Sequence, residues 1–155
     1  MKLTDALCAF GRRIVAQRVD ALLAEVEGAR TGEDIEHVHR MRVASRRLRS
    51  ALRIFGECFK GKKAKRWRKA ARQVTASLGD ARDLDVQIEL LRETAKDWQG
   101  EESVGAALVI EMLGCRRRSL QPEVAALMDR ITGDGAFQEM RADMDAEAMD
   151  GLDLS

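Results

Sequence analysis

The spacing of candidate core residues between positions 38 and 55 constrains the fold more than any other feature of this sequence. The intervals alternate between three and four residues, so these positions lie along one side of an α-helix. They are Val38, Met41, Ser45, Leu48, Leu52 and Phe55. The sequence therefore predicts an amphipathic helix from about Glu33 to Phe55, ending before Gly56.

Similar patterns predict helices along most of the remaining chain. Gly28 is expected to end the first helix, and Gly79 to end the third. Asp80 is expected to cap the fourth helix, and Pro122 to kink or divide the fifth. The other predicted ranges are 3–27, 62–78, 81–98, a long helix after Gly100, and a short helix at 136–149 with a frayed end.

The composition also predicts an all-α fold. The chain has 155 residues, one Pro, no Tyr and 4% aromatic residues, which is typical of helices rather than sheets. Short loops between long helices favour antiparallel neighbours. We therefore predict an antiparallel up-and-down helical bundle over residues 1–132, followed by an acidic short helix and a frayed tail over residues 133–155.

The cysteines and histidines predict no covalent or metal-bound framework. Cys8, Cys58 and Cys115 are far apart and form no CxxC pair, so reduced thiols in a cytosol fit best. His37 and His39 do not have the i,i+4 spacing of a helical metal pair, and we predict no metal and no cofactor. The N-terminal residues lack a long apolar segment, so we expect a cytoplasmic protein without a membrane span.

Charge is distributed very unevenly, although the net charge is only +1. Between Arg40 and Arg72 the chain has 14 Lys or Arg residues and one acid, Glu57. These 33 residues carry +13, and the other 122 carry −12. A local field of this sign concentrates a polyanion at one surface.

Basic residues on the second predicted helix follow one stripe beside the apolar seam. His39, Arg42, Arg46, Arg49 and Arg53 recur at i, i+3, i+7, i+10 and i+14, over roughly 21 Å. Arginine suits phosphate oxygens because its guanidinium binds them in a bidentate manner. The third predicted helix, richer in Lys, adds a second basic wall.

Repulsion within these two helices favours an anionic partner. Five like-charge i,i+4 pairs, such as Arg42 with Arg46, would together cost about 1 to 2.5 kcal/mol on isolated helices. The structural alternative is that acids of the fourth helix neutralise the stripe, but four acids cannot balance 14 bases. These acids are Asp83, Asp85, Glu89 and Glu93.

Two motifs occur in a recognisable order on the predicted helices. The first is His39-x-x-Arg42-Val43-x-x-Arg46-Arg47-Leu48-Arg49, and the second is Leu78-Gly79-x-x-Arg82-Asp83-Leu84-Asp85-Val86. Together they resemble the CHAD family, the conserved histidine α-helical domain. The resemblance implies an all-helical fold that binds inorganic polyphosphate, often beside a triphosphate-tunnel domain or on polyphosphate granules. It marks as phosphate contacts His39, Arg42, Arg46, Arg49, Arg53 and Arg82, and, on a variable basic helix, Lys62, Lys65, Arg66, Lys69 and Arg72.

The chain departs from that family in length. Family domains resemble two helical bundles in tandem, and residues 5–140 of this chain resemble only the first. The chain is then either a fragment of a longer protein or a half-domain that pairs with a second copy. We expect a C2 homodimer.

The function implied by the resemblance is non-enzymatic binding of polyphosphate. Two alternatives stay open: a DNA- or RNA-binding helical protein, and a homodimeric scaffold whose basic face binds an acidic tail or partner. Against nucleic acid, there is no helix-turn-helix signature, and the spacing of Trp67 with Ala71 and Val74 favours a core position over base stacking. An enzyme is not expected, because no nucleophile stands near a base.

Overall fold

The computed structural model describes residues 3–133 and 135–150, and every regular element in these ranges is helical. A 3-10 turn at Gly56–Cys58 lies between the third and fourth α-helices. The predicted all-α helical bundle is confirmed. The helices are α1 (Leu3–Leu23), α2 (Val26–Thr31), α3 (Glu36–Ile54), α4 (Lys63–Ser77), α5 (Gly79–Ala95), α6 (Gly100–Gly133) and α7 (Ala136–Asp150).

The central helix of the bundle is α3, which packs against α1 on one side and α4 on the other. Its predicted seam is buried, and each fully buried large side chain contributes roughly 1.5–3 kcal/mol by leaving water. The second half of α6 and the helix α7 complete the same core. Its largest fully buried members are Trp67, Leu22, Met41, Leu48, Leu52, Leu78, Met128 and Met140.

Ser45 is the polar member of the predicted seam, and it is fully buried. Its Oγ shares a hydrogen bond of 2.8 Å with Oγ1 of Thr75 on α4. The Ser45 hydroxyl also lies within hydrogen-bonding distance of the backbone carbonyl of Arg42, and the Thr75 hydroxyl lies within that distance of the carbonyl of Ala71. Because both polar groups are satisfied, the pair fixes the contact between α3 and α4.

The first predicted helix is divided, and Gly28 does not end it. α1 ends at Leu23, and α2 continues through Gly28 to Thr31. Gly32, with φ of 71°, ends α2 in the left-handed conformation that favours glycine. Gly28 is needed for a close approach instead, because a Cβ there would lie 2.3 Å from the ring of His37.

Glu25 holds the ring of His37 at this contact. Nδ1 of His37 lies 2.7 Å from one Glu25 oxygen, and Nε of Arg40 donates to the other at 2.9 Å. Burial raises the pKa of Glu25, but the hydrogen bonds from Arg40 and His37 outweigh it, so the pKa lies below its usual value. This cluster joins the turn between α1 and α2 to α3.

We expect Gly28→Ala to destabilise the fold by about 1–3 kcal/mol, because the new methyl group must displace the His37 ring. Gly105→Ala is the matched control, since Gly105 lies inside α6 and a Cβ there meets nothing within 4 Å. That change should stabilise the helix by about 0.5–1 kcal/mol. Urea unfolding compares the two variants, and equal stabilisation by both would contradict the close approach.

Two further helix boundaries differ from the prediction. Gly79 begins α5 rather than following α4, so Asp80 lies inside the first turn and does not cap the helix. Leu78 is the single residue between α4 and α5, and its side chain is fully buried in the core. The two helices therefore follow each other without a loop in which Asp80 could cap α5. α6 runs through Pro122 without interruption, so a division of that helix is wrong, while the alternative of a kink at Pro122 stays a prediction. Packing of Val124 and Leu127 in the core holds the helix together beyond the proline.

The predicted short helix at 136–149 is confirmed as α7, which reaches Asp150. Its Phe137, Met140 and Met144 are buried in the common core. The acidic helix is therefore packed against the bundle, mainly on α1. The predicted frayed end falls beyond residue 150, outside the described residues, and the domain division after residue 132 stays a prediction.

Cys8 and Cys58 form a disulfide, with their Cα atoms 5.3 Å apart. The prediction of three reduced thiols is wrong for this pair, while Cys115 is free and exposed. The 50-residue separation concealed the pairing. Because α1 packs antiparallel to α3, the start of α1 meets the turn that follows α3. Nη2 of Arg12 donates to the carbonyl of Cys58 at the same place.

Candidate functional site

A groove of about 1550 Å³ runs along α3 and α4 and reaches α1. Eleven of its 17 lining residues are Lys or Arg, and no acid, His or Cys lines it in the described part of the chain. Small-molecule sites usually have volumes of roughly 300–1,000 Å³, so the groove suits a larger, extended anion. The cations are Arg18, Arg46, Arg47, Arg49, Arg53, Lys62, Lys65, Arg66, Arg68, Lys69 and Arg72.

The groove is basic because α3 and α4 turn their apolar faces to the same core. α3 buries Leu48 and Ala51, and α4 buries Trp67 and Ala71. The charged residues between these positions are left on adjoining outer faces. Ala51 and Phe55 belong both to the core and to the lining. The floor of the groove is therefore the outer surface of the hydrophobic core.

The structure brings eight of the predicted phosphate contacts together in this groove. They come from both basic helices, as two walls of one site rather than two separate patches. The cations of the α3 wall are arginines, whereas the α4 wall contains both lysines and arginines. The eight residues are Arg46, Arg49, Arg53, Lys62, Lys65, Arg66, Lys69 and Arg72.

The other three predicted contacts, His39, Arg42 and Arg82, do not line the groove. A Cβ at position 79 would lie 3.1 Å from Nη1 of Arg42. Because Gly79 has no side chain, it leaves room for the Arg42 guanidinium at the start of α5. Arg82 is one turn further along α5, with its Nη1 4.0 Å from an oxygen of Glu89. His39 and Arg42 continue the arginine stripe of α3 beyond the groove.

Three cations of the groove were missing from the predicted contacts: Arg18, Arg47 and Arg68. Arg68 follows Lys65 by three residues and precedes Arg72 by four, so helical spacing could have identified it. Arg47 stands inside the first motif but off the stripe. Arg18 belongs to α1, outside the basic segment, and only the packing of α1 on α3 places it here.

Glu25 and two acids of α7 pair with the basic segment, whereas the acids of α5 whose contacts are resolved do not. Nζ of Lys63 lies 2.5 Å from Asp143, and Arg66 donates to Glu139. The predicted alternative, neutralisation by the fourth helix, fails for the acids whose contacts are resolved. Asp85 and Glu89 contact Arg117 and Arg82, and Glu93 pairs with Lys96. Most cations of the groove have no acid against them in the described ranges.

Asp85 of the second motif joins α5 to α6. Nε of Arg117 donates to its Oδ1 at 2.8 Å, and both side chains are almost fully buried. Burial raises the pKa of Asp85, and the nearby Arg117 guanidinium offsets only part of that effect. The role of Asp85 is therefore structural, which differs from the neutralisation of the arginine stripe considered from the sequence.

No group of three or more potential metal ligands occurs among residues 3–133 and 135–150. In the same ranges, no helix has the length and apolar character needed to cross a membrane.

The CHAD domain family model matches residues 13–154, nearly the whole chain. The chain therefore belongs to the CHAD domain family, and the resemblance carried by the two motifs is confirmed. This family is associated with polyphosphate binding. Comparisons with curated proteins and with solved structures give no match.

Proposed function

We propose that this protein binds inorganic polyphosphate, or a similar polyanion, along the groove between α3 and α4. The observation that carries the proposal is one groove with eleven cations and no acid among its described lining residues, and most of these cations have no acid against them in the described ranges. Membership of the CHAD domain family supports polyphosphate as the polyanion. The ligand would offset the repulsion between like charges that the fold leaves in place.

The two walls have different parts in this proposal. On α3, Arg46, Arg49 and Arg53 span about 10 Å at 1.5 Å per residue and offer bidentate hydrogen bonds to phosphate oxygens. On the α4 side, Lys62, which directly precedes the helix, and Lys65 and Lys69 supply compact charges whose direction is less restricted. A flexible chain of phosphates can follow both walls, whereas a single phosphate would contact only a few of these cations.

Titration of fluorescently labelled polyphosphate at several salt concentrations tests the proposal. If 6–10 phosphates are neutralised, affinity should fall roughly 10³- to 10⁵-fold between 50 and 200 mM salt, by analogy with nucleic-acid backbones. The same titration with monophosphate should show far weaker binding. Absence of binding at low salt, or affinity that does not depend on salt, would contradict the proposal.

The nucleic-acid alternative uses the same charges, but Trp67, whose sequence neighbours Arg66 and Arg68 line the groove, does not offer its ring for base stacking. Trp67 is fully buried, and its ring packs edge-on against Phe59. Stacking on aromatic side chains supplies much of the affinity for single strands. Competition between long-chain polyphosphate and RNA at one ionic strength discriminates the two ligands, and displacement of polyphosphate by RNA at an equal phosphate concentration would favour the alternative.

Glu139 of α7 should compete with the anion for Arg66, because the two side chains form an exposed ion pair at the groove. We expect Glu139→Gln to raise polyphosphate affinity by up to about fivefold, since exposed ion pairs are worth roughly 0.2–1 kcal/mol. Glu123→Gln, at an exposed position of α6 away from the groove, is the matched control for net charge. An equal gain in both variants would show that only total charge matters.

The proposal assigns binding rather than catalysis to the groove, because its described lining lacks a carboxylate, imidazole or thiol that could act as a general base or nucleophile. We also propose a cytoplasmic location with association with polyphosphate granules and, as a separate proposal, a homodimer. The disulfide is unusual for a cytosolic protein. Imaging of the tagged protein in cells that accumulate polyphosphate tests the location, and a signal away from the granules would contradict it.

A further inference from the structure

The first half of α6 has apolar residues on two opposite faces. The inner face, with Ala106, Ile110 and Leu113, is buried or half-buried, and it packs in the α5–α6 hairpin. The outer face carries Val104, Leu108 and Met112, which are 61%, 62% and 71% exposed. Residues four apart lie above one another on a helix, so these three form one outer stripe. A helix packed on one side normally has a polar opposite face.

Charges at the two ends of the outer stripe have opposite signs. Glu101 and Glu102 lie in the first turn of α6, whereas Arg116 lies just beyond the stripe, and Arg118 already pairs with Glu111 of the same helix. Two such helices packed in parallel would place like charges together. If the two helices pack antiparallel, the acidic end of each one meets the basic end of the other. Such charge complementarity selects a partner and its orientation.

We propose that a second copy of this chain packs against the outer stripe, with the two α6 helices antiparallel and related by a twofold axis at Leu108. Leu108 then meets the same residue of the partner, and Val104 meets the partner's Met112. Glu101 lies within one residue of the partner's Arg116. In an isologous C2 interface, the same surface of both subunits meets, so that surface must be complementary to itself. The outer stripe meets this requirement. This surface stands independently of the polyphosphate proposal, because the groove lies on α3 and α4.

The size of the contact predicts a reversible dimer. Residues 100–117 of α6 extend over about 27 Å, and one helix pair of that length buries less than the roughly 800 Å² per partner of a standard interface. We therefore expect dissociation in the micromolar range, with monomer and dimer exchanging as the concentration changes. A partner from another protein, or another domain of the same chain, would leave this chain monomeric on its own.

Sedimentation velocity over about 5–500 µM, a range that brackets a micromolar dissociation constant, tests the surface. The wild-type mass should rise from 17.3 kDa towards twice that value. Leu108→Glu should weaken the dimer by at least about a hundredfold, because it places two carboxylates together in an apolar contact. Leu90→Glu is the matched control: Leu90 lies on α5, is 64% exposed, and is outside the stripe. It should dimerise like the wild type.

Charge reversal tests the antiparallel orientation. Glu101→Arg alone and Arg116→Glu alone should each weaken the dimer, and the double variant should recover most of the wild-type affinity. A wild-type protein that stays at 17.3 kDa throughout overturns the proposal. A dimer that Leu108→Glu leaves intact, or that Leu90→Glu disrupts equally, overturns the assignment to α6. Single variants that leave the dimer unchanged overturn the antiparallel orientation.

Discussion

Replacing Arg46, Arg49 and Arg53 together with Ala should lower polyphosphate affinity by roughly 10²- to 10³-fold. The three guanidinium groups line the α3 wall of the groove, and each removed charge-assisted contact is worth about 1–1.5 kcal/mol on an accessible surface. The fold should be preserved, because Arg46 and Arg53 are exposed and Arg49 is half-exposed. Titration of labelled polyphosphate at about 100 mM salt, where backbone electrostatics is still strong, measures the loss.

The control for this triple variant must remove the same charge from elsewhere. Arg13, Arg92 and Arg130 are exposed residues of α1, α5 and α6 that do not line the groove. Replacing these three with Ala should reduce affinity several-fold at most, through the general field alone. Equal losses in the two triple variants would mean that net charge, and not the groove, holds the anion.

Trp67→Ala should destabilise the protein by about 3–5 kcal/mol, a large share of a typical stability of roughly 5–15 kcal/mol. The indole is fully buried, packs against Phe59 and belongs to α4, the helix that carries one of the two basic walls. For a chain of this size the melting temperature should fall by roughly 10 °C or more. Calorimetry or thermal circular dichroism measures the change, and polyphosphate binding should be lost with the fold.

Trp67→Phe distinguishes packing from recognition. Nε1 of Trp67 has no hydrogen-bond partner in the described part of the chain, so a phenyl ring should retain most of the stability and all of the binding. If Trp67 instead stacked on a ligand, Trp67→Ala would weaken binding while the melting temperature stayed the same. That outcome would revive the nucleic-acid alternative.

Local spacing was sufficient to predict most of the helices. The seam from Val38 to Phe55 and the short helix at 136–149 were predicted within a few residues, because periodic burial acts within one helix. The boundaries at Gly28 and Asp80 were wrong for a tertiary reason. The His37 ring packs on Gly28, and Leu78 is buried between α4 and α5, and the local sequence contains neither contact.

The same distinction applies to the candidate site. Eight predicted cations line the groove because they occur at regular intervals on two neighbouring helices. Arg18, the Cys8–Cys58 disulfide and the pairing of Glu139 with Arg66 depend on which helices become neighbours. Contacts between residues that lie 32 to 73 positions apart leave no trace in local spacing. The role of Asp85 was missed for this reason, since its partner Arg117 is on the next helix.

Lysine footprinting with and without polyphosphate is the most direct test that the groove between α3 and α4 binds the anion. An amine-reactive reagent modifies accessible lysines, and mass spectrometry reports the extent at each position. We predict strong protection of Lys62, Lys65 and Lys69, which line the groove, and none of Lys96, which lies beyond the end of α5. Equal modification of all four lysines in both samples, or protection confined to Lys96, would contradict the assignment.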